Sequence, residues 1–149
     1  MPIPEKIRVT RMIDYHTHFI GKYDDGKQFW GYEHFVSVPV DGETDWQKYR
    51  HEYVVLYLFD KEGKLESYKY WYAGTTSDLN CDTEKKLKQL VKELGRIRYC
   101  NIRVKPFEIK IDGHTFGLIA IQDPDYERVE LHPSNVIAFT EPWNGEFDT

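Results

Sequence analysis

The chain has 149 residues, of which 40% are hydrophobic and 30% are charged, and its formal net charge is −5. Its length suits one domain and its hydrophobic content exceeds that of disordered chains, so we expect a single folded domain over residues 1–149. The negative charge argues against nucleic-acid binding, because lysine and arginine contacts to phosphate dominate that affinity.

Features of membrane insertion and of export are not found in the sequence. No apolar run approaches the ~20 residues that a membrane-spanning helix needs. The N-terminus lacks the apolar run and the small-residue cleavage site of a secretory signal. Cys81 and Cys100 have no metal-binding spacing and are too few for a disulfide framework. We therefore predict a cytoplasmic protein without membrane contact.

The order of strand-like runs predicts an α+β fold, with a predominantly antiparallel, curved β-sheet and one main helix. Aromatic residues, which favour strands, make up 15% of the chain. Runs of strand composition between turn signals are Phe19–Tyr23, Gln28–Val38, Glu52–Phe59, Leu65–Ala73, Asn101–Ile111, Thr115–Gln122, Tyr126–Leu131 and Val136–Phe139. The run at Glu52–Phe59 is apolar on both faces, which predicts a central strand.

Two Asp-Gly pairs predict the register of two hairpins. A two-residue turn at Asp112–Gly113 places Ile109 opposite Phe116, on an apolar face. The same kind of turn at Asp25–Gly26 pairs the run after residue 18 with the run after residue 27.

A helix is predicted over residues 82–94 and should pack against one face of the sheet. Its apolar residues recur at i, i+3, i+4 and i+7, and they are Leu87, Leu90, Val91 and Leu94. Asn80 or Asp82 can cap its start, and Gly95 can end it. The lysines fall outside the apolar stripe, which is typical of a solvated face.

A stripe of tyrosines follows the central strand. Tyr68, Tyr70 and Tyr72 share one face of their strand, because side chains alternate along it. Such a stripe is more typical of core lining, and we expect at least two of the three rings to be buried. The alternative is a partner-binding surface, because exposed tyrosines are enriched at protein interfaces.

A pair of histidines supplies the one arrangement with possible metal chemistry. On the register of the Asp25–Gly26 turn, His16, His18 and Glu33 share a face and form a two-histidine, one-carboxylate ligand set. A bulge at that turn would move Glu33 away and bring His34 in. The other interpretation is two partly buried histidines hydrogen-bonded to neighbours such as Asp14. We expect no catalytic residue, metal or other cofactor.

Several segments, in order along nearly the whole chain, resemble a family of small bacterial proteins called formate hydrogenlyase regulatory proteins. The segments are Tyr15–Thr17, Ile20–Tyr23, Gln28–Phe29, Trp71–Thr75, Lys105–Phe107, Asp112–Gly113, Phe116–Leu118 and Pro142–Thr149. The resemblance implies a cytoplasmic protein that modulates transcription of a hydrogenase system by contacting its activator. It implies no particular catalytic or binding residue.

The sequence favours a non-enzymatic regulatory domain that binds another protein. It contains no helix-turn-helix pair and no basic reading surface, so a regulatory role would act through protein contact. One alternative of the same class is a toxin-neutralising immunity protein, for which small size and acidic charge are typical. The alternative from another class is a small metal-dependent enzyme that uses His16, His18 and Glu33.

Overall fold

The structure is a computed structural model that describes residues 2–13, 16–78, 82–133 and 137–149. It contains strands β1 (Ile7–Val9), β2 (Phe19–Tyr23), β3 (Lys27–Ser37), β4 (Arg50–Phe59), β5 (Leu65–Thr75), β6 (Ile97–Tyr99), β7 (Ile102–Val104), β8 (Phe107–Ile111), β9 (His114–Asp123), β10 (Tyr126–His132) and β11 (Ala138–Phe139). The α-helix α1 spans Thr83–Lys92, and short 3-10 turns span Trp46–Lys48 and Thr76–Asp78.

The strands form two antiparallel sheets and a ribbon. The larger sheet has five strands in the order β5-β4-β3-β2-β6, and the smaller sheet has four in the order β11-β10-β9-β8. Strands β1 and β7 pair as a two-stranded antiparallel ribbon. The predicted α+β fold with mostly antiparallel strands and one helix on a sheet is confirmed. No helix in the described ranges has both the length and the apolar character to cross a membrane.

The predicted central strand β4 is buried on both faces. One face contributes Tyr53, Val55, Tyr57 and Phe59 to the larger hydrophobic core, which also contains residues of the smaller sheet and of the ribbon. The other face, with Val54, Leu56 and Leu58, packs against α1. The molecule therefore has three layers: the helix, the five-stranded sheet, and the smaller sheet with the ribbon.

Helix α1 has the predicted position and the predicted apolar face. Asp82 caps its start by accepting a hydrogen bond from the Lys85 backbone N–H at 3.2 Å. The other candidate cap, Asn80, lies outside the described residues. Gly95 follows the helix with a φ of 89°, the left-handed conformation that often ends helices. Leu87 and Val91 are almost fully buried against the sheet.

We expect Leu90→Ala to lower the free energy of unfolding by about 2–3 kcal/mol, because the side chain is buried at the rim of the core between α1 and the sheet. Urea titration at neutral pH measures this change. Gln89→Ala, at an exposed position of the same helix, is the control and should change stability by less than about 0.5 kcal/mol. Equal effects of the two substitutions would contradict the packing described for α1.

One predicted strand is divided in two. The run Asn101–Ile111 contains β7, which pairs with β1, and β8, which pairs with β9. Pro106 lies between them, and proline has no backbone N–H for a sheet hydrogen bond. Two further strands, β1 and β6, were not predicted. Each is three residues long, too short to show alternation.

The hairpin registers predicted at the two Asp-Gly turns fare differently in the structure. At Asp112–Gly113 the predicted register is confirmed, with Ile109 opposite Phe116. At Asp25–Gly26 it is wrong by one residue, because Tyr23 pairs with Lys27 and Asp24 joins the loop. Asp24 and Asp25 both have positive φ, of 43° and 66°, which aspartate tolerates better than most residues.

Candidate functional site

The tyrosine face, defined as the side chains of Tyr68, Tyr70 and Tyr72, lies on the surface of the molecule. The three residues are 37%, 48% and 43% exposed, so the expected burial of at least two rings is wrong. They lie opposite Tyr57, Val55 and Tyr53 of β4, which are buried. The reason is position in the sheet: β5 is the outermost strand, and the layer that covers β4 leaves the rings of β5 exposed.

Ring contacts hold the tyrosine face in place. The rings of Tyr68 and Tyr70 stack with their centroids 6.4 Å apart, and the Tyr72 ring lies 5.1 Å from that of Tyr53. The Tyr72 hydroxyl shares a hydrogen bond of 2.6 Å with His51 Nδ1. One end of the tyrosine face is therefore fixed to β4, while Tyr68 and Tyr70 lie over the middle of β5.

The tyrosine hydroxyls beside Asp112 remain protonated at neutral pH. The Tyr53 hydroxyl donates a hydrogen bond of 2.8 Å to Asp112 Oδ2. Burial, the hydrogen bond and the charge of Asp112 all raise the pKa of Tyr53. Burial also raises the pKa of Tyr72, with Asp112 and Asp78 adding to the effect. Neutral Tyr53 thus donates to the Asp112 carboxylate, while the neutral Tyr72 hydroxyl is paired with His51.

No described strand pairs with the outer edge of β5. Among the described residues, no backbone hydrogen bond joins it to another segment. With 11 residues β5 is the longest outer strand, compared with three residues in β6, five in β8 and two in β11. Proteins usually protect such an edge with proline, charge or short length. Strand β5 contains no proline, its two charged residues are Glu66 and Lys69, and no described backbone hydrogen bond occupies its outer edge.

The structure separates the three residues of the predicted metal set. Glu33 lies on the helix side of β3, where its carboxylate accepts a hydrogen bond from the Thr83 hydroxyl. His16 contacts Tyr32 on the opposite side of the same strand. The shared face predicted for His16, His18 and Glu33 is wrong, because the additional loop residue Asp24 shifts the hairpin register by one.

The remaining member of that set, His18, lies just before β2. Its ring packs edge-on against Phe19 with the centroids 4.4 Å apart, and its carbonyl accepts a hydrogen bond from Arg11 Nε at 2.9 Å. Asp14, which the sequence offered as a histidine partner, lies outside the described residues. Among the residues that are described, no group of three or more His, Cys, Asp or Glu side chains could hold a metal ion.

His34, which joined the predicted histidine set only if the Asp25–Gly26 turn contained a bulge, lies inside the larger core. His34 is fully buried, its Nε2 shares a hydrogen bond of 2.8 Å with the Tyr57 hydroxyl, and its ring lies 4.6 Å from that of Tyr32. Tyr32 in turn shares a hydrogen bond of 2.8 Å with His16 Nδ1. Burial lowers the pKa of His34 to about 3, so the imidazole is neutral. Its alternation with Trp30 and Tyr32 along β3 was the signal for burial.

No family model, curated protein or solved structure matches the chain. The geometry defines a three-layer α+β domain in which one exposed aromatic face borders one open strand edge.

Proposed function

We propose that this protein is a non-enzymatic binding domain that takes an extended segment of another protein as an additional strand beside β5. The observation that carries this proposal is the tyrosine face, three neighbouring rings between 37% and 48% exposed, along the longest open strand edge. Tyrosine is among the residues most enriched at protein interfaces and at their energetically dominant positions.

Strand addition uses both features of β5. Backbone hydrogen bonds to the open edge supply affinity, and pockets for alternate side chains supply specificity. An added strand would lie about 4.8 Å from β5, and every second side chain would point to the tyrosine face. The partner segment that fits best therefore alternates, with apolar or aromatic residues toward Tyr68, Tyr70 and Tyr72 and polar residues on the other side.

The family that the sequence resembles supports this class of function. Its name implies contact with a transcriptional activator in the cytoplasm, and strand addition is a means of making such a contact. The proposed role is therefore regulation through protein binding. The acidic net charge of −5 is consistent with a protein partner and unfavourable for nucleic acid.

The test compares Tyr70→Ala with Tyr126→Ala, because both tyrosines are 48% exposed and only Tyr70 belongs to the tyrosine face. Each tagged variant is copurified from the native host and quantified by mass spectrometry against the unaltered protein. We expect Tyr70→Ala to lose a specific partner at least 10-fold, while Tyr126→Ala retains it. Both substitutions should change the free energy of unfolding by less than about 1 kcal/mol, because neither ring is in the core.

Amide hydrogen exchange on the recovered complex locates the contact. Strand addition predicts new protection of alternate amides within Leu65–Thr75, since only every second N–H points to the outer edge. Protection confined to another strand, or equal partner recovery with Tyr70→Ala and Tyr126→Ala, would contradict the proposal.

A further inference from the structure

A second surface, distant in sequence from the tyrosine face, forms a cleft of about 360 Å³ where the ribbon of β1 and β7 meets β2 and β3. Cationic and amide side chains predominate in its lining, and none of the described lining residues is acidic. The three cations are Arg8, Lys22 and Arg103, and the three amides are Gln28, Asn101 and Asn144.

The two arginines lie directly opposite each other in the ribbon. The tripeptide Ile-Arg-Val occurs in both β1 and β7, and Arg8 pairs with Arg103. The Arg103 backbone N–H donates to Gln28 Oε1 at 2.8 Å, so it points away from β1. Arg8 and Arg103 therefore form a non-hydrogen-bonded pair, the type in which opposite side chains are closest.

Like charges at directly opposite positions destabilise an antiparallel pair. Among the described residues, no ion pair involves Arg8, Arg103 or Lys22. An anion between the two guanidinium groups would turn this repulsion into attraction. Arginine suits that role, because its planar donors match the oxygens of phosphate in a bidentate arrangement.

The amides of the cleft are arranged as hydrogen-bond donors. Their side-chain oxygens accept hydrogen bonds at 2.8, 2.8 and 3.1 Å from backbone N–H groups, in the pairs Gln28 with Arg103, Asn101 with Arg11, and Asn144 with Glu146. Because a backbone N–H can only donate, these contacts assign the oxygen of each amide. Each oxygen is thereby turned toward a backbone N–H, and the NH₂ groups of Asn101 and Asn144 remain as donors beside the cations.

We propose that this cleft binds a phosphorylated small molecule, with Arg8, Arg103 and Lys22 contacting the phosphate oxygens. Three cations and further N–H donors suit a doubly charged group with several acceptor oxygens. The volume of about 360 Å³ falls within the range of small-molecule sites, about 300–1,000 Å³, and has room for more than a single phosphate. The site is separate from protein binding at β5, and either proposal can fail alone.

The test uses inorganic pyrophosphate as the probe, on the full chain at low ionic strength. Isothermal titration calorimetry compares the unaltered protein with Arg103→Gln and Arg8→Gln, which retain polar side chains at exposed positions. Lys92→Gln, at an exposed position of α1, removes one positive charge away from the cleft and is the matched control. We expect saturable binding that weakens at least 10-fold in each arginine variant and less than 2-fold in Lys92→Gln.

Thermal melting gives a second readout of the same site. Without added anion, we expect each arginine variant to melt at the same temperature as the unaltered protein or higher, because a like-charge contact is removed. With pyrophosphate, the unaltered protein should gain several degrees and the arginine variants should gain less than half of that shift. Absence of saturable binding, equal weakening in Lys92→Gln, or equal affinity for citrate would overturn the proposal.

Discussion

The burial of neutral His34 should by itself make the protein about 3 kcal/mol less stable at pH 4 than at pH 7. The pKa of His34 in the folded state is about 3, whereas in the unfolded state it lies near 6.5. Between these values the unfolded state binds a proton that the folded state excludes. Stability is therefore complete above pH 6.5 and falls by about 1.4 kcal/mol for each pH unit below it.

Urea titrations between pH 4 and pH 7, on the unaltered protein and on His34→Gln, measure this contribution. Glutamine can keep a hydrogen bond to the Tyr57 hydroxyl but does not titrate. The slope of the unfolding free energy against pH should therefore be smaller in the variant, by the equivalent of about one proton.

Other groups also titrate in this pH range. Partial burial lowers the pKa of His16, which acts in the same direction as His34. Burial would raise the pKa of Glu130, but hydrogen bonds from Arg128 and His132 outweigh it and lower that pKa. Both groups are present in His34→Gln, so the difference between the two proteins isolates His34. Identical slopes would show that His34 is protonated or exposed in the folded state.

Removing the ring of Tyr57 should have the largest effect of any tyrosine substitution. Tyr57 is fully buried, its ring centroid lies 4.7 Å from that of Phe107, and its hydroxyl is hydrogen-bonded to His34 Nε2. We expect Tyr57→Ala to lower the free energy of unfolding by about 3–5 kcal/mol, since it leaves a cavity and a buried imidazole nitrogen without its partner.

Tyr57→Phe separates the ring from the hydroxyl. It keeps the packing and removes one buried hydrogen bond, for which we expect a loss of about 1–2 kcal/mol. Denaturant unfolding at pH 7 measures both variants. Tyr57 and Tyr70 lie on the same face of the sheet, so a loss for Tyr57→Ala no greater than that for Tyr70→Ala would mean that the second layer does not cover β4 as described.

The features that the sequence predicted well depend on local patterns. The helical spacing of Leu87, Leu90 and Val91 is complete within three turns, and the Asp112–Gly113 turn alone determines its hairpin register. The Asp25–Gly26 turn looks equivalent in sequence, yet the observed register places Phe29 opposite Gly21 and Phe19 opposite Gly31. Each phenylalanine thereby lies beside a glycine, and a side chain at position 31 would collide with Leu87 of the helix, a long-range contact that the turn sequence does not reveal.

The candidate sites were harder to predict because they depend on layers and strand order. Alternation shows that Tyr68, Tyr70 and Tyr72 share a face, but exposure depends on whether a second layer covers the outermost strand. Arg8 and Arg103 are far apart in sequence and meet only through the pairing of β1 with β7. The repeated Ile-Arg-Val tripeptide was the one local signal of that pairing, and such short repeats also arise by chance.

The pairing of β1 with β7 also has a consequence for translation. Strands β2 to β5 are successive neighbours in their sheet, so each new strand can pair with the strand made just before it as it leaves the ribosome. Strand β1 is made before β2 but must wait for β7, and the closure of so long a loop is slow. A nascent chain that ends before β7 therefore exposes the face of Trp30 and Tyr57 to solvent. We expect that interval to be when the chain is most prone to aggregate.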